Sequence, residues 1–183
     1  MFKHRYMKTR IFLLFIASFA LFQANGQKVY STNAATVRFI AVDDNDIDAT
    51  NKKAVSRLEP NGKLSFIMLM KDFSFEWETM QKHFNEEYVE SDKYPRGFFN
   101  GQITNIKSVN FAKDGKYPVV VQGNMQVHGV NKTIQTNGFI EVIQGQPKAT
   151  AKFTVTLKDF KIGGLLIKMV ADKVDVEVVA NYQ

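Results

Sequence analysis

The chain has 183 residues, is 45% hydrophobic, contains no cysteine and carries a formal net charge of +6. Without cysteine it is no disulfide-stapled scaffold, so its fold must rest on a core of its own. The charge says little about partners: Lys3, Arg5, Lys8 and Arg10 stand near the start with no acid among them, and without these four of the 24 basic residues +6 becomes +2. That leaves no electrostatic case for a nucleic acid or an acidic partner.

The four basic residues precede the run Ile11–Phe22, apolar apart from Ser18, and then the small residues Ala24-Asn25-Gly26. This is the layout of a secretory signal, so residues 1–26 are expected to be cleaved and 27–183 to form a single domain. The apolar run is short for a bilayer span. The expected product is exported, periplasmic or secreted, with no stable membrane insertion once the signal has gone.

Period two dominates the rest. Ala35–Val42 sets Val37, Phe39 and Ala41 on one side, whereas the acid-rich Ala41–Gly62 is left without a strand register. Lys63–Met70 follows the Asn61-Gly62 turn and is apolar on both faces except at Ser65. Phe98–Ile106 and Tyr117–Val127 alternate clearly, and Lys132–Ile143, Lys148–Leu157 and Asp172–Tyr182 repeat the pattern. Asp114-Gly115, His128-Gly129 and Gly145 supply turns between them. Short alternating strands joined by tight turns predict an all-β antiparallel sandwich or barrel.

Two places break the rhythm. From Glu76 to about Asn85, Trp77, Met80, Gln81 and Phe84 recur at helical spacing, which predicts a short amphipathic helix docked through Trp77, Met80 and Phe84. Asp159–Met169, with Gly163-Gly164, reads as a loop or a single turn.

The stretch His83–Pro95, "HFNEEYVESDKYP", holds the densest polar chemistry. His83 beside Glu86, Glu87, Glu90 and Asp92 suggests acid–base or metal chemistry, but its spacing matches no metal motif. The simpler reading is scaffold at a barrel mouth, with Tyr88 and Tyr94 covering a rim and Pro95 ending the connection. His128 reads as a turn residue before Gly129, with contact to a ligand head group as the other option. No nucleophile elbow, phosphate-cradling loop or dinucleotide fingerprint occurs.

Three segments, in this order and spacing, carry a resemblance to a known family. In His83–Ile103 a helix leads through Asp92-Lys93-Tyr94-Pro95 to Phe98 and Phe99. Gly123–Ile134, "GNMQVHGVNKTI", forms a hairpin pattern, with Asn131 where Thr or Ser is usual. Phe153–Ile162, "FTVTLKDFKI", supplies a strand and an Asp-Phe corner, with Leu157-Lys158 where Asn-Arg is more common. From Tyr30 to Tyr182 the chain resembles the YceI-like family, which is similar to the lipocalins. The resemblance implies an extended eight-stranded antiparallel lipocalin-like barrel with one short helix. It also implies a lumen that holds a long apolar chain such as a polyisoprenoid, with a quinone, an isoprenoid carrier and a fatty amide all left open as the ligand.

On that reading, the lumen lining is expected from the inward positions Phe39, Phe66, Met68, Met70, Phe99, Gly101, Ile103, Val121, Gly123, Met125, Gly138, Ile140, Phe153, Val155 and Val176, with Trp77, Phe84 and Tyr94 at the rim. Glycines beside flexible methionines would leave mouldable space inside, although glycine also permits strand coiling and methionine also fills gaps. The expected function is non-catalytic binding, transport or storage of a long-chain apolar lipid. No cofactor or metal is called for, and the oligomeric state is left open, a homodimer included. The alternatives are a ligand-free envelope or stress barrel and, from another class, an enzyme acting on a hydrophobic substrate.

Overall fold

Strands alternate in this chain because nearly every one buries one face and wets the other. The computed structural model describes residues 28–42, 47–163 and 171–183. The expected signal at residues 1–26 lies outside them, as does the second half of the loop expected at Asp159–Met169.

Nine strands are present among these residues: β1 (Tyr30–Ala41), β2 (Asp48–Leu58), β3 (Lys63–Leu69), β4 (Ser74–Phe75), β5 (Arg96–Ile103), β6 (Gly115–Val127), β7 (Val130–Ile143), β8 (Gln146–Thr156) and β9 (Lys173–Asn181). Their order is β1-β9-β8-β7-β6-β5-β3-β2, and β2 pairs back onto β1. Eight antiparallel strands therefore close into a barrel, which removes the exposed sheet edges. The two-residue β4 is an addition: it pairs with Ala49 and Thr50 of β2, where β3 has already turned away. One α-helix, α1 (Glu78–His83), runs directly into a π-helical turn, Phe84–Tyr88.

The tight hairpins follow turn chemistry. Val127 pairs with Val130 across His128 and Gly129, whose φ angles are 51° and 71°. Two positive φ values in succession are the type I′ geometry that suits a twisted two-residue hairpin. Gln144 and Gly145, at 52° and 73°, repeat it between β7 and β8.

The segment left without a register, Ala41–Gly62, contains all of β2. It pairs with β1 through two irregularities, one near Asn33-Ala34 and one between Asn51 and Ala54. Asn51 is fully buried at the second. Its amide donates to the Leu69 carbonyl at 2.9 Å, and its Oδ1 accepts from the Lys53 amide at 2.8 Å. Asn51 thus serves a strand end and a bulge that would otherwise leave buried backbone groups unpaired. The inward positions of β2 are Ala49, Asn51, Ala54, Ser56 and Leu58, which show no apolar alternation and so give the sequence no strand signal.

Candidate functional site

The two ends of the barrel are filled differently. At the end reached by the start of β1 and the finish of β9, Leu58, Ile103, Ile140, Val142 and Tyr182 are each at most 2% exposed. Tyr30 stacks on Phe111 with ring centroids 5.2 Å apart, closing that end further. The Tyr182 hydroxyl meets Ser56 Oγ at 2.8 Å, and Ser56 donates to the Ser65 carbonyl at 3.0 Å. Burial pushes the Tyr182 phenol up to about 12, and the Ser56 contact opposes this only in part. This end is solid.

At the other end, where the β6–β7 hairpin lies, the same strands surround a cavity of about 270 Å³. Inward residues in pairs form its wall: Val37 and Phe39 of β1, Met125 and Val127 of β6, and Val174 and Val176 of β9. Met68 of β3, Met70 just beyond it, Val155 of β8 and Leu157 after it complete the wall. Phe39, Met68, Met125, Val155 and Val176 face inward yet are only partly buried, because they border open space rather than one another. Of the side chains lining the cavity among the described residues, only His83 and Tyr88 carry a polar atom.

Aromatic rings line the cavity on the side of α1. Phe39 lies 5.3 Å from Phe73, 5.8 Å from Phe75 and 5.6 Å from Phe84, and Phe75 and Phe84 are 5.0 Å apart, all between ring centroids. Such offset and edge-on pairs add about 0.5–1.5 kcal/mol each beyond their burial. The α1 segment is docked through this cluster, with Phe84 and Val89 buried. Trp77 is not part of it. Expected to dock the helix, it precedes α1 as the N-cap and is 60% exposed. The missed anchors were Phe73 and Phe75, whose alternation just before the helix is the signal that would have found them.

His83 and His128 have different neighbours. His83 Nδ1 bonds Glu87 Oε1 at 2.9 Å one helical turn on, with more than half of its side chain exposed. No group of three or more His, Cys, Asp or Glu suited to a metal occurs among the described residues. His128 is more enclosed: its Nε2 lies 2.8 Å from Glu90 Oε2, its Nδ1 lies 3.2 Å from the Phe160 carbonyl, and Tyr94 meets it edge-on at 4.5 Å. Both of its ring nitrogens thus have an oxygen partner. The bond from His128 is the main cause holding the Glu90 carboxyl below the usual carboxylate range, with Lys93 assisting. His128 therefore ties together the segment after α1, the β6–β7 hairpin and the turn Leu157–Phe160.

Among the residues expected to line a lumen, Phe39, Met68, Met70, Met125, Val155 and Val176 surround the cavity, and Phe84, expected at the rim, joins them. Phe66, Phe99, Ile103, Val121 and Ile140 instead pack in the solid half, and Phe153 and Tyr94 are half-buried away from the cavity. The glycines provide no space. A Cβ on Gly123 would stand 2.5 Å from the Asn100 carbonyl oxygen and 2.8 Å from the Phe99 ring. One on Gly101 would stand 2.5 Å from that ring, and one on Gly138 2.5 Å from the Thr150 carbonyl oxygen. These glycines let neighbouring strands and one ring approach closely, which is a packing role.

A family model described as a YceI-like domain matches residues 18–182. The chain belongs to the YceI-like family. Among solved structures, its fold is similar to that of a polyisoprenoid-binding domain from Saccharophagus degradans implicated in plant cell wall breakdown. That match has a TM-score of 0.73 and 11% identity, covering 86% of this chain and 98% of that one. BcnA of Burkholderia cenocepacia is similar at a TM-score of 0.66 and 14% identity, over 81% of this chain and 96% of that one. A YceI protein of Campylobacter jejuni follows at 0.52 and 20% identity, over 72% and 81% of the two chains. No curated protein sequence matches this one.

Proposed function

We propose that this YceI-like barrel binds an apolar lipid chain in the cavity beneath α1 and releases it unchanged. The observation that carries the reading is the cavity wall, which is apolar apart from His83 and Tyr88. Each methylene moved from water into such a space contributes about 0.8 kcal/mol, so a chain needs few polar contacts to be held. The two histidines have roles within the fold, His83 along its helix and His128 as a tie, and neither is needed as a reacting group. The structural similarity to a polyisoprenoid-binding domain agrees with an isoprenoid as one candidate ligand. The secretory signal expected in residues 1–26 supports carriage or storage of the lipid outside the cytoplasm.

Organic extraction and native mass spectrometry of protein purified from its own host test the reading. The expected result is a co-purifying lipid whose amount falls when Met125→Lys places a charge in the wall. Protein that arrives empty and takes up no added farnesol would overturn it.

A further inference from the structure

The lumen is hollow over only part of its length. β6 has 13 residues, which at about 3.4 Å each span roughly 44 Å. Of its inward side chains only Met125 and Val127 border the cavity, and these α-carbons are about 7 Å apart along the strand. The next layer is shut. Phe99, the cross-strand partner of Met125, turns away from the cavity and lays its ring against Gly101 and Gly123, which are themselves paired. Phe66, the partner of Phe99 on β3, is buried beside it and also stands outside the cavity wall. Methionines above this layer can reshape themselves. A ring seated on two glycines whose backbones leave no slack has nowhere to go.

We propose that Phe99, seated on Gly101 and Gly123, is the stop that sets how much of a lipid chain this barrel accepts, and that the accepted length is short. An engineered apolar cavity of about 150 Å³ takes benzene, so on that scale a cavity of about 270 Å³ takes roughly ten to twelve carbons. A terpenoid of that size enters whole. A longer polyisoprenoid enters by one end and leaves its remainder outside, where it adds no affinity. The proposal rests on the lipid-binding reading above, and the test separates the two.

The test is the affinity of the intact protein for geraniol, farnesol, geranylgeraniol and solanesol, delivered from cyclodextrin and measured by displacement of a fluorescent fatty-acid probe. Affinity should climb from geraniol to farnesol, at up to about fourfold for each further buried methylene, and then stay level through solanesol. Continued climbing to solanesol overturns the stop and leaves lipid binding intact. Failure of the whole series to bind overturns lipid binding itself, and the stop with it. Phe99→Ala should move the plateau to longer chains; a folded variant with an unmoved plateau overturns the role of Phe99. Should that variant not fold, Val176→Phe, in the wall above the stop, should move the plateau to shorter chains. A plateau unchanged there overturns the proposal equally.

Discussion

One set of strands builds both ends of this barrel, yet one end is solid and the other hollow. At the solid end the inward positions carry Leu58, Ile103, Ile140, Val142 and Tyr182, whose side chains meet across the lumen and are essentially inaccessible. At the hollow end they carry Met68, Met125, Val155 and Val176, which reach less far or bend, and a separate helical segment covers the space. The projecting side chains differ, and so does the pairing: β6 pairs with β7 along its whole length, whereas β7–β8 pairing stops at Gly138 and Ala151 and β2–β3 pairing at Val55 and Ile67, short of the hollow end. Stability and binding are thereby placed in different halves of a single sheet.

Gly123 lies where the solid half of β6 gives way to the cavity wall at Met125. Gly123→Leu drives a branched side chain into the Asn100 carbonyl and the Gly101 backbone, neither of which can yield. Its expected cost is about 3 kcal/mol or more, at the upper end for overpacking. Chemical denaturation giving a near-native midpoint would show that the central layer is not packed as described.

A matched pair of truncations comes next. Leu58→Ala in the solid half should cost about 2–5 kcal/mol, since it opens a void among inaccessible neighbours. Met125→Ala in the hollow half should cost clearly less, because its side chain already borders open space, but should weaken farnesol binding. Equal losses of stability from urea titrations of the two variants would erase the distinction between the halves.

Tyr182 makes the solid end sensitive to pH. Its phenol titrates near 12 when folded, against the ordinary value of 10.0. Between those values the unfolded chain gives up a proton that the folded chain keeps, so stability is full below pH 10 and falls as pH rises towards 12. The loss attributable to this group is of order 2–3 kcal/mol. Tyr182→Phe should flatten that part of the alkaline stability curve, and an unchanged slope would place Tyr182 in contact with water.

The smallest effect is expected at Trp77. With 60% of the residue exposed, Trp77→Ala should change stability by no more than about 0.5 kcal/mol. A loss of several kcal/mol would place its ring in the aromatic cluster beneath α1.

Alternation made most of the barrel readable, because in β6, β7 and β9 one face is apolar and the register of the pleat decides which. It failed over β2, where inward Asn51 and Ser56 are polar and a bulge interrupts the count. The wall of the cavity was readable in direction and not in depth. Alternation says that Phe99 and Met125 both point inward, but only their packing shows that one ring folds onto glycines while the other side chain borders space. The same limit misassigned Gly101, Gly123 and Gly138, since a missing side chain looks alike in sequence whether it leaves room or admits a neighbour. Helical spacing likewise placed Trp77 on the docking face, whereas the cluster is completed by Phe73 and Phe75 from before the helix.

Closure of the barrel joins β1 to β9, pairing Thr36 with Val179 and Ala41 with Val174. The hydrogen bond between Ser56 and Tyr182 spans 126 positions of the chain. Contacts so remote in sequence return their free energy only after the loop entropy between them has been spent, so such topologies fold over milliseconds to seconds. A growing chain can form the β5–β6–β7–β8 meander as it emerges, yet its early strands β1 and β2 keep an unpaired edge until β9 is made. That waiting edge is where a partly synthesised chain is most exposed to mispairing with another copy.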